Sequence, residues 1–400
     1  MLSRNTARFG IQKDAILLTL LFASLAMFGS VLYAEYRYQT AVFEIGEGVH
    51  KRIRHSMVGT IKEPFATSTN VCHAATTFTI TAFTYYHGKQ LHPGVYISFG
   101  LTLVLAALSW GHHSLGSING SWQHNGDRYG MYAVFAWLTC FNGFTLYSTF
   151  CPSKNRTLYT IAGIITFIIG QVAVIYVIVN QKEYDANDML ISLGFAAFTP
   201  TFIIGWRQTY TAFTRYRLIK SFVYAVYTTM TPVLLIGLAF LYQLYAEDRK
   251  QCDDERCYND TYNDLFIERR SQYDMFHGVW HYFSALTVAL LICLQTDQIQ
   301  GKQLGFSCKK SQVFQHIILW ITVGFYGILY FTVTTAKQLR VSIIIYTPIL
   351  CVILFVLLYV RVKETRKILP KSQAITTTTA PDDVSVNGSD EGMIEITTID

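Results

Sequence analysis

The residues best suited to chemistry in this chain of 400 residues are two histidines, His277 and His281, four positions apart. On a helix this spacing projects both imidazoles from one face, where they can hold one metal ion as two of the three protein ligands of an open zinc site. The chain has 11 histidines, so a pair at this spacing also arises by chance. Two interfacial histidines that hydrogen-bond to neighbouring helices are the competing interpretation.

A second pair at the same spacing, Ser109 and His113, is followed by the acidic residue Asp127. Ionisable groups at membrane depth are costly and usually functional. The competing interpretations are a surface ion pair between Asp127 and Arg128 at a helix start, and a packing role for Ser109 in a membrane span. His112 makes the position of the histidine ambiguous by one residue.

The composition indicates that these residues belong to a membrane protein. Hydrophobic residues make up 51% of the chain and charged residues only 14%, which excludes an ordinary soluble protein. The net charge of +6 does not indicate nucleic-acid binding, because most basic residues lie in short connections between apolar segments. The sequence contains no Gly-rich phosphate loop, nucleophile elbow or kinase signature.

Ten segments are apolar for about 18 to 25 residues, the length that crosses a hydrocarbon core of ~30 Å. We therefore expect an all-α, polytopic membrane protein with about ten transmembrane helices. The segments are 14–33, 67–86, 94–113, 129–147, 158–179, 189–206, 222–245, 275–294, 314–335 and 341–360. The first could be a cleaved signal peptide, but Leu32 is a poor cleavage-site residue and an anchor is favoured.

Short basic loops predict the orientation of these segments. With a cytoplasmic N-terminus, the basic loops 207–220 and 302–310 and the basic tail that starts at Arg361 all face the cytoplasm. The same threading places the pair at 109 and 113, Asp127 and the pair at 277 and 281 at the opposite face. We expect this face to be lumenal or extracellular, in a protein of the secretory pathway.

The glycosylation sequons give an independent test of this orientation, because only outside sequons are modified. Asn119 and Asn259 fall outside and are candidates for glycans, whereas Asn155 and Asn387 fall inside. Cys252 and Cys257 share an outside loop and could form a disulfide; the other six cysteines lie in or beside spans and are expected to stay reduced.

The pattern of Ser109, His113, Asp127, His277 and His281 resembles the CREST superfamily of seven-helix membrane proteins. This superfamily includes alkaline ceramidases, adiponectin and progestin receptors, GPI-anchor lipid remodelling proteins and systemic RNA-interference channel proteins. The resemblance covers the second to eighth spans, with one extra span before this core and two after it. The large extracellular β-rich region of the RNA channels is absent.

The resemblance implies a zinc ion held by His113, His277 and His281, with His112 as the reserve ligand. Asp127 would accept a proton from water at the zinc and pass it to the leaving group, and Ser109 would hydrogen-bond the water or the developing oxyanion. A lipid amide or ester is the natural substrate because the site opens at bilayer depth. His73, in the second span, is interpreted as a polar packing residue with a minor chance of lining the site.

Two hypotheses follow. The favoured one is a zinc-dependent lipid hydrolase that acts on a ceramide-like lipid or on the acyl chain of a GPI anchor. The alternative is a non-enzymatic transporter or receptor for lipid, sterol or double-stranded RNA, in which zinc is structural.

The expected organisation has four parts. Residues 1–66 form the N-terminal anchor helix and an outside loop, and 67–295 form the seven-helix core with the zinc site. Residues 296–362 form two additional transmembrane helices, and 363–400 form a disordered cytoplasmic tail.

Overall fold

The computed structural model describes residues 15–40, 63–86, 93–115, 122–150, 230–250, 263–299 and 310–377, with separated positions between 161 and 214. The elements in this part of the chain are all helices, as the lengths of the apolar segments predict. They are α1 (Ala15–Thr40), α2 (Pro64–Thr69), α3 (Val71–Tyr86), α4 (Pro93–Leu115), α5 (Trp122–Phe150), α6 (Thr231–Lys250), α7 (Asn263–Ile299), α8 (Lys310–Thr332) and α9 (Ala336–Thr377).

Four of the described helices contain stretches that are long and apolar enough to cross a membrane, as expected of a membrane protein. These are Ile16–Arg37, Gly94–Ser114, Ser271–Cys293 and Ala336–Val360, and two shorter apolar stretches are Thr231–Ala246 and Ile317–Thr332. The total of ten spans stays a prediction. The predicted spans 158–179 and 189–206 lie mostly outside the described residues.

The helix α7 forms the centre of the bundle. Each residue from Ser271 to Ile292 is buried, including large side chains such as Phe276, Tyr282 and Phe283. α7 packs against α6, α2, α3, α1 and α9. A helix that is covered on every side in this way holds its polar side chains away from lipid, which suits histidines at membrane depth.

The first helix packs as part of this bundle. α1 lies against α3 and α9, and the hydroxyls of Ser24 and Tyr282 are 3.0 Å apart. Near the end of α1, Glu35 forms an ion pair of 2.7 Å with Arg340 at the start of α9. The boundary expected between the N-terminal part, 1–66, and the seven-helix core, 67–295, falls inside α2. A turn at Asn70 follows this helix.

The last helix extends further than the expected last span. α9 continues from its membrane-spanning stretch to Thr377, so the first part of the tail segment 363–400 is helical. Its Lys, Arg and Glu residues after Val360 are good helix formers and can extend a helix already nucleated in the span. The remaining tail, 378–400, lies outside the described residues.

Candidate metal centre

Three buried histidines meet near one end of the bundle. His113 lies at the end of α4, and His277 and His281 lie one turn apart on α7. One ring nitrogen from each lies within 4.8 Å of the other two. The sequence expectation that these three positions come together is confirmed. His113 belongs to this group of three, whereas its neighbour His112 lies within 4.8 Å of His113 and Asp127 in a second group.

Hydrogen bonds orient two of the three rings. Nδ1 of His113 lies 2.5 Å from a carboxylate oxygen of Glu63, and Nδ1 of His281 lies 3.0 Å from the carbonyl oxygen of Ala66. Both partners are acceptors, so each Nδ1 carries the hydrogen and donates. The lone pair of each ring is then on Nε2, which is the state that a metal ligand needs.

The spacing of the third ring fits the same metal. Nε2 of His277 lies 3.2 Å from Nε2 of His113, and the ring centroids of His277 and His281 are 4.7 Å apart. Two nitrogens at 2.0–2.1 Å from a tetrahedral zinc would be about 3.3 Å apart. The donor set and its spacing therefore fit a metal ion.

The short helix α2 supplies the groups that orient these rings. Glu63 is its N-cap residue, and Ala66 lies in its first turn. The carboxylate of Asp274 accepts hydrogen bonds from the backbone N–H groups of Phe65, at 3.0 Å, and of Ala66, at 2.7 Å. Asp274 lies one turn before His277 on α7. The helix α7 therefore carries two of the histidines and also holds α2, which supplies the partners of His113 and His281.

A glycine allows α2 to approach α7 this closely. The ring of Phe65 packs directly over Gly278, where a Cβ would lie 2.3 Å from a ring carbon. A side chain at position 278 would therefore force the ring, or α2 itself, to move. This contact explains why a glycine directly follows His277 in the motif that ends at His281.

Asp127 also reaches this site. It is buried near the start of α5, and its carboxylate, His112 and His113 offer ligand atoms within 4.8 Å of one another. Asp127 therefore lies near His113, and its role toward a water at the three histidines stays a prediction. Ser109 is buried on α4, one turn before His113. Its hydrogen bond to substrate or water stays a prediction.

The charge around the histidines favours a cation. The carboxylate of Glu63 contacts His113, and that of Asp127 lies within 4.8 Å of a ring nitrogen of His113. Asp274 lies one turn from His277 on α7. All three carboxylates are buried. Buried carboxylates are costly unless they are paired or hydrogen-bonded. A divalent ion on the three neutral rings would offset this negative charge.

Sequence reasoning missed two of these residues. Glu63 falls in the segment expected to be an outside loop, and the sequence pattern assigns no role to Asp274. An acidic residue directly before a proline is a signal for a helix start, because proline is favoured in the first turn and a carboxylate suits the N-terminus. That signal could have placed α2, although not its contact with His113.

Other expected features are only partly within the described residues. Cys72, Cys140, Cys293 and Cys351 are free thiols, as expected. The cysteines at 252 and 257 and the four sequons at 119, 155, 259 and 387 lie outside the described residues. His73 is buried on α3, with its ring centroid 6.2 Å from that of His281.

Comparison of the chain with protein-family models, with curated proteins and with solved structures finds no match. The resemblance to the CREST superfamily therefore stays a prediction, and the function has to be argued from the site.

Proposed function

We propose that the protein is a zinc-dependent intramembrane hydrolase that cleaves an amide or ester bond of a membrane lipid. The observation that carries this proposal is the buried group of His113, His277 and His281, with their partners on α2 and with Asp127 beside them. A site that only ties helices together needs the histidines but does not need a further buried carboxylate. The substrate in this proposal is ceramide-like or carries a GPI-anchor acyl chain.

The three histidines would hold the metal through their Nε2 atoms. Zinc in such a site supplies Lewis-acid polarisation of a carbonyl and acidifies a water to a pKa of ~7. Glu63 and the Ala66 carbonyl keep two of the rings in the metal-binding tautomer and orientation. The protein's own contribution is thus a fixed set of donors in a site with little solvent.

Asp127 and Ser109 would handle the proton and the developing charge. Asp127 is proposed to take a proton from the attacking water and to give it to the leaving nitrogen or oxygen. Ser109, one turn before His113 on the same helix, is proposed to donate a hydrogen bond to the oxyanion. Both roles need side chains held without water competition, and both residues are buried.

The decisive experiment compares wild-type protein with Asp127→Asn, which keeps the shape of the side chain and removes its basic group. Zinc content and fatty-acid release are measured on the same purified samples, with ceramide, phospholipid and GPI substrates. We expect zinc to remain and turnover to fall by a factor of ~10² to 10⁴. Ser109→Ala should cause a smaller loss because the proton route survives.

A matched control is Glu35→Gln, which removes a carboxylate from the ion pair with Arg340 and should leave turnover unchanged. Wild-type turnover in Asp127→Asn would end the proposed mechanism. Zinc without fatty-acid release from any substrate, in either protein, would favour the transporter or receptor alternative.

The proposal also includes the location of the protein. The orientation from the basic loops puts the site at the lumenal or extracellular face of a secretory-pathway membrane. Its partner is then a lipid of that membrane rather than a nucleic acid, which would require the RNA-channel alternative.

A further inference from the structure

A second polar feature lies behind the metal cluster, on the side of His281 that faces α3. His73 is only 3% exposed, and its Nε2 lies 3.3 Å from the hydroxyl oxygen of Ser284. That hydroxyl donates its one hydrogen to the carbonyl oxygen of His281, at 3.1 Å. In the bond with Ser284, Nε2 of His73 is therefore the donor.

This assignment leaves an acceptor on the other side of the ring. A neutral imidazole that donates from Nε2 has its lone pair on Nδ1. Nδ1 of His73 is buried and has no hydrogen-bond partner among the residues that the structure describes. Nδ1 of His73 can therefore accept a hydrogen bond, but none of the described residues donates one to it.

Asn70 presents a second acceptor of the same kind. Its Nδ2 donates to the carbonyl oxygen of Ala66, at 3.0 Å, and this oxygen also accepts from Nδ1 of His281. The amide of Asn70 and the ring of His73 thus both adjoin His281. Oδ1 of Asn70, which is 2% exposed, likewise has no hydrogen-bond partner in the described part of the chain.

Asn70 and His73 are three positions apart where α3 begins, so their two buried acceptors together define the chemistry of an occupant. Buried polar groups in proteins are almost always hydrogen-bonded, and an acceptor left without a donor costs stability. An occupant that donates hydrogen bonds would satisfy both acceptors, whereas an anion would not. The occupant must also be small enough for the interior of a packed bundle, and a hydroxyl group meets both conditions.

We propose that Asn70 and His73 form a hydroxyl-binding subsite behind the metal cluster, occupied by an internal water or by the hydroxyl of a bound lipid. This subsite goes beyond the proposed hydrolase, because binding requires neither the metal nor turnover. It would remain if the protein proved to be a lipid transporter or receptor.

The test measures thermal unfolding of the purified full-length protein in detergent with two probes. The probes are 1-dodecanol and dodecyl methyl ether, which have the same alkyl chain but differ in the hydroxyl hydrogen. The test variant is His73→Phe, which keeps a ring of similar size and removes the acceptor. No step depends on catalysis, so the result is independent of whether fatty-acid release is found.

Two control variants isolate the subsite. Ser284→Ala removes the hydrogen bond to Nε2 of His73 but keeps the imidazole ring and the amide of Asn70, which can still accept from an occupant. Thr76→Val removes a buried hydroxyl on the same helix as His73, one that already donates to the His73 carbonyl. Neither variant should change the response to the probes.

A lipid hydroxyl as occupant predicts that dodecanol raises the wild-type Tm more than the ether does. This difference should disappear in His73→Phe and persist in both controls. An internal water predicts equal responses to the two probes, with a Tm for His73→Phe at least about 2 °C below that of Ser284→Ala.

Either pattern supports the subsite and identifies its occupant. Two results would overturn it. One is a dodecanol-specific shift that survives in His73→Phe. The other is equal responses to the probes together with a Tm for His73→Phe that is less than about 2 °C below that of Ser284→Ala, equal to it or above it.

Discussion

The Oε2 atom of Glu63 lies 2.5 Å from Nδ1 of His113, although fifty positions separate the two residues in the chain. The backbone N–H of Glu63 also donates to the carbonyl of His113, at 3.3 Å. Side chain and backbone together fix the start of α2 against the end of α4. A carboxylate that holds a histidine ligand in this way raises its basicity and fixes its orientation.

Glu63→Gln should therefore weaken metal binding without abolishing it. Glutamine can still accept a hydrogen bond from Nδ1 but carries no charge. Loss of such a partner typically lowers metal affinity by a factor of ~10 to 100. Competition with a zinc chelator measures this affinity, and Glu35→Gln is the matched control. Equal zinc affinity in Glu63→Gln and wild type would show that this carboxylate does not support the metal.

His281→Ala should lose both zinc and stability. It removes one of three protein ligands and leaves the carbonyl of Ala66 without the N–H of the ring. Metal analysis of the purified protein and a thermal melt provide the two measurements. His112→Ala is the control, because this neighbour lies outside the three-histidine group and should keep full metal. Unchanged zinc stoichiometry in both His277→Ala and His281→Ala would disprove the site.

The histidine positions of this site could be predicted from the sequence, but the groups that orient their rings could not. The spacing of His277 and His281 fixes their common face, because helix geometry is local. Their meeting with His113 could be expected only from the threading of the spans. The contacts of Glu63 and Asp274 depend on where the six residues of α2 pack, and no local periodicity encodes that position.

The helix ends were also less predictable than the helices. Apolar stretches mark the part of a helix that crosses lipid, whereas α7 begins at Asn263 and α9 ends at Thr377, in polar sequence. The polar ends of these two helices lie beyond the apolar stretches, so the lengths of those stretches do not predict where the helices begin and end. The fold class therefore follows from composition and from the lengths of the apolar segments, and the extents of the helices come from the structure.

Gly278→Ala should destabilise the protein and weaken zinc binding together. The added Cβ would meet the ring of Phe65, and overpacking of this kind costs about 1–3 kcal/mol. Because Phe65 belongs to α2, the displacement would move Glu63 and Ala66 away from the histidines. Chemical or thermal unfolding and a zinc titration measure the two effects.

The matched control for this substitution is Gly100→Ala on α4, where no other side chain lies within 4 Å of the new methyl group. Alanine is favoured over glycine in a helix by about 0.5–1 kcal/mol, so this variant should be at least as stable as wild type. A second variant, Gly278→Ala with Phe65→Leu, should recover part of the lost zinc affinity. No recovery would mean that the ring contact is not what positions α2.

The orientation of the site can be tested by glycosylation. The basic loops predict that Asn119 and Asn259 lie on the lumenal or extracellular side and that Asn155 lies on the cytoplasmic side. Expression in a glycosylating cell should therefore give glycans at one or both of the first two positions and none at the third. Mobility before and after enzymatic deglycosylation, with an Asn→Gln variant at each position, identifies the modified asparagine.

The outcome at Asn155 decides which membrane face carries the metal centre. The end of α1 and the start of α9 lie together through Glu35 and Arg340, so these two helices run in opposite directions. A mobility shift that disappears in Asn155→Gln would reverse the threading and move the three histidines to the cytoplasmic face. The buried geometry of the site would survive this result, but the lipid that reaches it would then come from the cytoplasmic leaflet.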